Sequence, residues 1–217
     1  MISSPRRNSK NFMKIQNEIE NDLGVLLIVP KRLTSPDPFI VKAKASLTKG
    51  IKHYQSDGFV SSDVYEPDIR STPKRANRAL RIMDTLLKCF LARGYRIEHE
   101  LSFSRVYLRK VYMQFKVREV RKQVAKNVNG NPKYEPTGAL EFSLDNYRSC
   151  RWRDGRVKLE DQVLKILTTM EFEVNELNQV WEANARKKKQ LHHLLIVAII
   201  EVKLNIPNVL SYFSIFI

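Results

Sequence analysis

Residues 110–118 alternate strictly between two kinds of side chain. Lys110, Tyr112, Gln114, Lys116 and Arg118 point one way, and Val111, Met113, Phe115 and Val117 point the other, as the period of a strand requires. The apolar row is a core face. The other row carries three cations and an aromatic ring, a combination that tracks phosphates and stacks on an unpaired base. The imbalance extends beyond that row: from Arg105 to Lys126 there are eight Lys or Arg and one acid, Glu119. The competing reading is an ordinary solvated hairpin face, because lysine also keeps edge strands from pairing. A second cationic group, Lys74, Arg75, Arg78 and Arg81, lies on a helical pattern in which positions 74, 78 and 81 share a side. An exposed helix face without a special purpose is the stronger reading there. Together these stretches give the candidate nucleic-acid contacts: Lys110, Tyr112, Lys116, Arg118, Arg121, Lys122, Arg78 and Arg81.

Other chemistry is sparsely represented. His53 and His99 are isolated in sequence, and His192 and His193 are adjacent, which turns them to different sides of a helix or a strand. No cysteine spacing fits zinc, no glycine-rich loop could cradle a phosphate, and no nucleophile elbow occurs. Ile196–Ile200 followed by Glu201-Val202-Lys203 is similar to half of a restriction-type nuclease site, in which carboxylates hold a divalent metal and a lysine supports the attacking water. The other half needs an acid on a partner strand, and Asp154, Glu160 and Asp161 are poorly placed for it. Trp152, between Arg151 and Arg153, fits the end of a core better than a wedge into nucleic acid. The expectation is therefore a non-enzymatic protein with no catalytic residue, no cofactor and no metal.

The composition points the same way. Across 217 residues, 38 Lys and Arg stand against 23 Asp and Glu, a formal charge of +15. That excess costs self-repulsion in a compact fold and fits a polyanionic partner, nucleic acid first and an anionic membrane surface second. A hydrophobic content of 43% supplies a core and excludes wholesale disorder. Two cysteines, Cys89 and Cys150, are too few for a disulfide scaffold and suit the reducing cytoplasm. The segment from Met1 to Lys10 has no apolar stretch of the signal-peptide kind, and no uncharged apolar run approaches the ~18 residues of a membrane span.

The elements that must position the cations follow from periodicity. Residues 1–22 read as a polar, partly disordered segment leading into a short helix. Leu23 to Val29 reads as a strand buried on both faces. Asp37 and Pro38 open a helix running to about Lys49. Residues 50–62 read as a loop, and Val64 to Arg70 as a short strand. Thr72-Pro73 opens a strongly amphipathic helix, with Ala76, Ala79, Leu80, Met83, Leu86, Leu87, Phe90 and Leu91 on its apolar face and Gly94 as its stop. Tyr95 to Val117 reads as a hairpin, 127–136 as a polar loop, Leu140 to Leu144 as a strand and 151–155 as a turn. A long amphipathic helix follows over 158–190. The apolar tail, 191–217, fits either a strand pair packed on the core or an altered end replacing a polar helix, with a membrane anchor third. The predicted fold is α+β: a small, mostly antiparallel sheet packed by two helices over 23–157, then the long helix from Lys158, which could pair two copies into a homodimer.

Several stretches carry a resemblance. They are Leu27-Ile28-Val29-Pro30-Lys31-Arg32-Leu33, the helix from Asn77 to Asp84 and on to Arg93-Gly94-Tyr95, Pro136-Thr137-Gly138 leading to Leu144-Asp145-Asn146-Tyr147, Trp152-Arg153-Asp154-Gly155, and Leu159-Glu160-Asp161. Over about Leu26 to Trp181 the chain resembles an uncharacterised bacterial protein family associated with mobile elements. Fuller members begin with a helix-turn-helix-like segment and end in a long charged helix. This chain starts too close to Leu26 for the first and is apolar where the second continues. The resemblance implies association with DNA and assigns no site residue.

Overall fold

The structure, a computed structural model, describes residues 10–52, 58–100, 103–126, 132–145 and 149–213. The chain divides into two compact units, Met1–Phe172 and Glu173–Ile217.

The first unit is built around one sheet. In chain order the elements are α1 (Lys10–Leu23), α2 (Pro38–Lys52), β1 (Val60–Ser61), β2 (Ile69–Ser71), α3 (Pro73–Ala92), β3 (Arg96–Glu100), β4 (Phe103–Leu108), β5 (Val111–Lys126), β6 (Pro132–Asp145), β7 (Cys150–Arg153) and α4 (Val163–Phe213). The organising element is β5. Its 16 residues are long enough to serve three partners. β4 pairs with Val111–Phe115, β2 pairs with Val117 and Arg118, and β6 pairs from Gln114 to Lys126. Every pairing is antiparallel except β2 with β5. The α+β class, the mostly antiparallel sheet and the long C-terminal helix are as the sequence predicts, although among the described residues the sheet has seven strands.

The apolar row of β5 faces a core, as its alternation requires. Val111, Met113, Phe115 and Val117 are buried with Val106 and Leu108 of β4, Leu140, Phe142 and Leu144 of β6, and Trp152 of β7. Aromatic contacts run through this layer: Phe90 of α3 meets Phe115 edge-on at 5.5 Å, Phe115 lies 6.4 Å from Phe142, and Phe142 lies 6.0 Å from Trp152. Trp152 therefore closes the end of the core. The helix α3 is buried around more than half of its circumference, from Ala79 and Leu80 to Ile82, Leu86 and Cys89. A helix apolar on so many sides needs cover beyond the sheet. Ile40, Ala43 and Leu47 of α2 are buried and supply apolar surface for it, and Ile15, Ile19 and Leu23 of α1 are buried as well. Pro73 starts α3, and Gly94, at φ +73, follows its end.

Five local expectations are corrected. Leu23 to Val29 is not a strand. Leu23 completes the helical row Phe12, Ile15, Ile19, Leu23, and Gly24, at φ +45, turns the chain into a short 3-10 helix, Gly24–Leu27. Val25 and Ile28 are consequently 81% and 69% exposed. The strand expected over 64–70 shrinks to β2, because the Glu66 carboxylate accepts the Asp63 N–H at 2.9 Å and holds 63–66 in a turn. Val60 and Ser61, read as loop, form β1. Of the polar loop 127–136, residues 127–131 lie outside the described residues, and the rest begins β6. Residues 151–153, read as turn, belong to β7, with the turn following at Asp154. The helix α2 agrees with the sequence: Asp37 Oδ1 accepts the Phe39 N–H at 2.9 Å. The polar start is helical from Lys10, and residues 1–9 lie outside the described residues.

The second unit is helical through Phe213, the last described residue. That overturns the strand pair expected in the tail, and it removes the strand on which a Glu201–Lys203 nuclease half-site depends. Among the described residues no helix is long and apolar enough to cross a membrane.

Candidate nucleic-acid interface

The face of the sheet opposite the core is built by alternation alone. In β4, Ser104, Val106 and Leu108 are buried, so Phe103, Arg105 and Tyr107 point outward. In β5 the outward residues are Tyr112, Gln114, Lys116 and Arg118. Register sets neighbours across the strands. Arg96 lies opposite Tyr107, Tyr107 opposite Tyr112, and Arg105 opposite Gln114.

Two tyrosines and two arginines therefore meet on three strands. The Tyr107 and Tyr112 rings are 5.8 Å apart with planes 43° from each other. The Arg96 guanidinium lies 4.4 Å from the centre of the Tyr107 ring, and the Arg105 guanidinium 5.5 Å from that of Tyr112. Tyr112 is 47% exposed and Phe103 46%. The Tyr107 hydroxyl is held by Glu98, which raises its pKa above the ordinary phenol value. Sequence reasoning singled out Tyr112 but missed Tyr107, Arg96 and Arg105. The signal was present, since Phe103–Leu108 alternates as β5 does.

The expected cations of β5 and its leading turn fall into three environments. Lys110 is exposed in the tight turn between β4 and β5, where Arg109 takes φ +55. Arg121 and Lys122 are exposed on the distal part of β5, which pairs with Pro132–Pro136 as a ribbon. The Arg121 guanidinium lies 5.4 Å from the Tyr134 ring and 5.9 Å from Phe59. Lys116 and Arg118, by contrast, are ion-paired: Lys116 Nζ donates to Asp145 at 2.7 Å and Arg118 to Asp68 at 3.2 Å. Burial raises the Asp145 pKa, but Lys116 and Ser149 together outweigh it and leave the carboxyl below its usual range. Burial prevails at Asp68, whose pKa is raised despite Arg118.

Arg78 and Arg81 do not join this face. Arg78 donates to Glu160 Oε1 at 2.7 Å and to Asp154 Oδ1 at 2.8 Å, with a further bond to each carboxylate. It lines an open pocket of about 480 Å³ with Arg75, Lys158 and its own two acids. Its donors are committed to the fold, pinning α3 to the turn after β7. Burial opposes ionisation of Asp154, but Arg78 and the backbone N–H groups of Leu140 and Leu159 hold its pKa down to about 2. Arg81 Nη1 donates to the Pro30 carbonyl at 2.7 Å. No local sequence signal reveals these roles, because the partners lie 76 and 82 residues from Arg78 and 51 from Arg81.

Glu119, the lone acid of the basic stretch, is also structural. It is buried, and its carboxylate accepts hydrogen bonds from Thr72 at the start of α3 and from Gly138 N in β6. The ladder between β5 and β6 shifts register immediately after it. Among the described residues no group of three or more His, Cys, Asp or Glu could hold a metal ion. No family model, no curated protein and no solved structure matches this chain.

Proposed function

We propose that this chain is a non-enzymatic nucleic-acid-binding or regulatory protein that contacts phosphates along β5. The observation that carries the reading is the continuity of that strand. From the Lys110 turn to Lys122 it covers about 40 Å and offers exposed cations at both ends. Between them lies the sheet face with its arginine-stacked tyrosines. The ribbon beyond adds exposed Lys133 against one exposed acid, Glu135. Phosphate contacts of this kind give affinity without reading sequence.

The test is a gel-shift titration over a range of salt concentrations, comparing the natural chain with a Lys110→Glu, Arg121→Glu, Lys122→Glu variant. Three lost phosphate contacts make the log–log salt slope shallower by about 2–3 on duplex DNA. Equal affinity at every salt concentration sinks the reading.

A second reading, pairing of two copies through α4, is favoured by the second unit taken by itself. There Trp181, Leu191, Leu194 and Leu195 are all exposed at helical spacing. Sedimentation at increasing concentration distinguishes it: a dimer that forms without nucleic acid supports it.

A further inference from the structure

We infer that the sheet face takes single-stranded nucleic acid, with bases stacked on Tyr107 and Tyr112 and the strand held by Arg96 and Arg105. The inference rests on the nucleic-acid reading above and narrows it to one strand class.

Three observations carry it. The first is where the aromatics sit. Tyr107 and Tyr112 pair directly across the two central strands of the hairpin, on the face that the core does not use. Phe103 lies outward on the same strand as Tyr107, about 13 Å along it. Apolar rings left on a solvent face gain nothing for the core, whereas every base has a face on which to stack.

The second is what lies beside the rings. Arg96 and Arg105 each place a guanidinium over a tyrosine, at 4.4 and 5.5 Å, while pairing with Glu98 at 3.3 Å and Glu100 at 3.5 Å, so a phosphate has to displace an exposed ion pair that contributes little. Such a plane can itself stack on a base while its charge reaches a phosphate.

The third is shape. Through Gln114 opposite Asp145, and farther along β6 through Glu141 opposite Arg153, the same face continues from β3 through β4, β5 and β6 to β7. Five strands span about 19 Å at the usual spacing. The major groove of a duplex is about 12 Å wide, so this face cannot enter it and meets only its backbone. A single strand can lay its bases flat on the sheet. Stacking of this kind tolerates any sequence.

The test is fluorescence anisotropy with short labelled single strands of DNA and of RNA, and with the matching DNA duplex, at low salt. The proteins are the natural chain, Tyr107→Ala/Tyr112→Ala, Tyr107→Phe/Tyr112→Phe and Arg121→Glu/Lys122→Glu. The inference expects tighter binding of single strand than duplex. It expects roughly tenfold or greater loss on the single strand in the double alanine variant, near-unchanged duplex binding, and retention in the phenylalanine variant. The DNA and RNA arms identify the sugar. If duplex binds as tightly as single strand and the alanine variant equals the natural chain, while charge reversal on the ribbon weakens both, the stacking site is overturned and the broader reading stands. If the natural chain binds none of the nucleic acids, both fall. Photocrosslinking of the natural chain to a bromodeoxyuridine strand keeps the question decidable should the alanine variant misfold. Adducts within 96–112 support the site, and adducts only elsewhere overturn it.

Discussion

The carboxylate of Glu119 accepts both the backbone N–H and the hydroxyl of Thr72, each at 2.7 Å, across 47 residues of sequence. Thr72 precedes the first turn of α3, and its own side chain makes no capping bond there. The single acid of a basic strand thus anchors the start of the central helix and, through Gly138, the bend of β6. Replacing Glu119 by Ala strands buried donors and costs about 2–4 kcal/mol. Glu119→Gln isolates the charge. Were the acid a mere gap in a cationic surface, either variant would tighten nucleic-acid binding and leave the denaturation midpoint in place. The expectation is a lower midpoint for both, larger for Ala, in urea unfolding.

Arg78 gives a parallel case on the other side of α3. Its guanidinium joins two carboxylates, and its side chain is only 15% exposed. Arg78→Ala leaves Asp154 partly buried without its main partner, at a cost of about 3 kcal/mol. Binding per folded molecule is expected to stay unchanged, which separates the ion pair from the interface. Urea denaturation paired with a gel shift measures both. Lost binding at full stability would falsify the structural assignment.

These cases show where the sequence was legible. The apolar rows of β5 and α3 could be read because burial leaves a period: Phe115, Phe90, Leu80 and Met83 are buried as that period requires, whereas Leu91, read on the same face at the end of α3, is exposed. The outward row of β5 was legible for the same reason. What could not be read is which outward cations are already spoken for. Asp68, Asp145, Asp154 and Glu160 reach their partners only through the fold. Short strands fail similarly: β1, β2 and β7 exist because a neighbour offers an edge, and two to four residues carry too little period to announce it. At Leu23 the apolar run was real but belonged to the helix before it, with Gly24 marking the break.

His99 provides a pH test of the core. Its side chain is buried, with Nδ1 at 2.9 Å from the Ser104 hydroxyl and its ring edge-on to Phe39 at 4.6 Å. Burial lowers its pKa to about 4. The unfolded chain then binds a proton below about pH 6.5 that the folded chain refuses. The stability due to neutral His99 is complete above pH 6.5 and is lost as pH falls towards 4. Thermal melts are expected to decline over that window in the natural chain, and more weakly in His99→Gln. Parallel pH profiles for the two proteins would place the titration elsewhere.

The tail is tested by truncation after Gln190. The first compact unit ends at Phe172, so its cooperative unfolding is expected to survive the deletion. Exposed Leu191, Leu194 and Leu195 are removed together, and self-association is expected to fall. Calorimetry and light scattering measure the two effects. Loss of the cooperative transition would make the tail part of the core.

The ion pairs of the sheet face set the last expectation. Lys116 and Arg118 share the outward row with Tyr112, and by sequence all three cations of that row are equivalent. In the fold they are not. Lys116→Glu places a carboxylate against Asp145, and Arg118→Glu places one against Asp68, which burial already disfavours as an anion. Each trades a partly exposed attraction for a repulsion, so the pair together costs about 1–2 kcal/mol. The strands joined are β5 with β6 and β5 with the segment entering β2, so the loss falls on the central strand that carries Tyr112. Lys110→Glu meets no such carboxylate, and Lys122→Glu faces only the exposed Glu135 across the ribbon, so their stability is expected to change by less than about 0.5 kcal/mol. Weakened binding in the first pair therefore mixes damage to the face with lost phosphate contacts, whereas weakened binding in the second reports contacts alone. Urea denaturation of the four single variants decides it. Four equal midpoints would mean that the two pairs contribute nothing and that the whole row is available to phosphates.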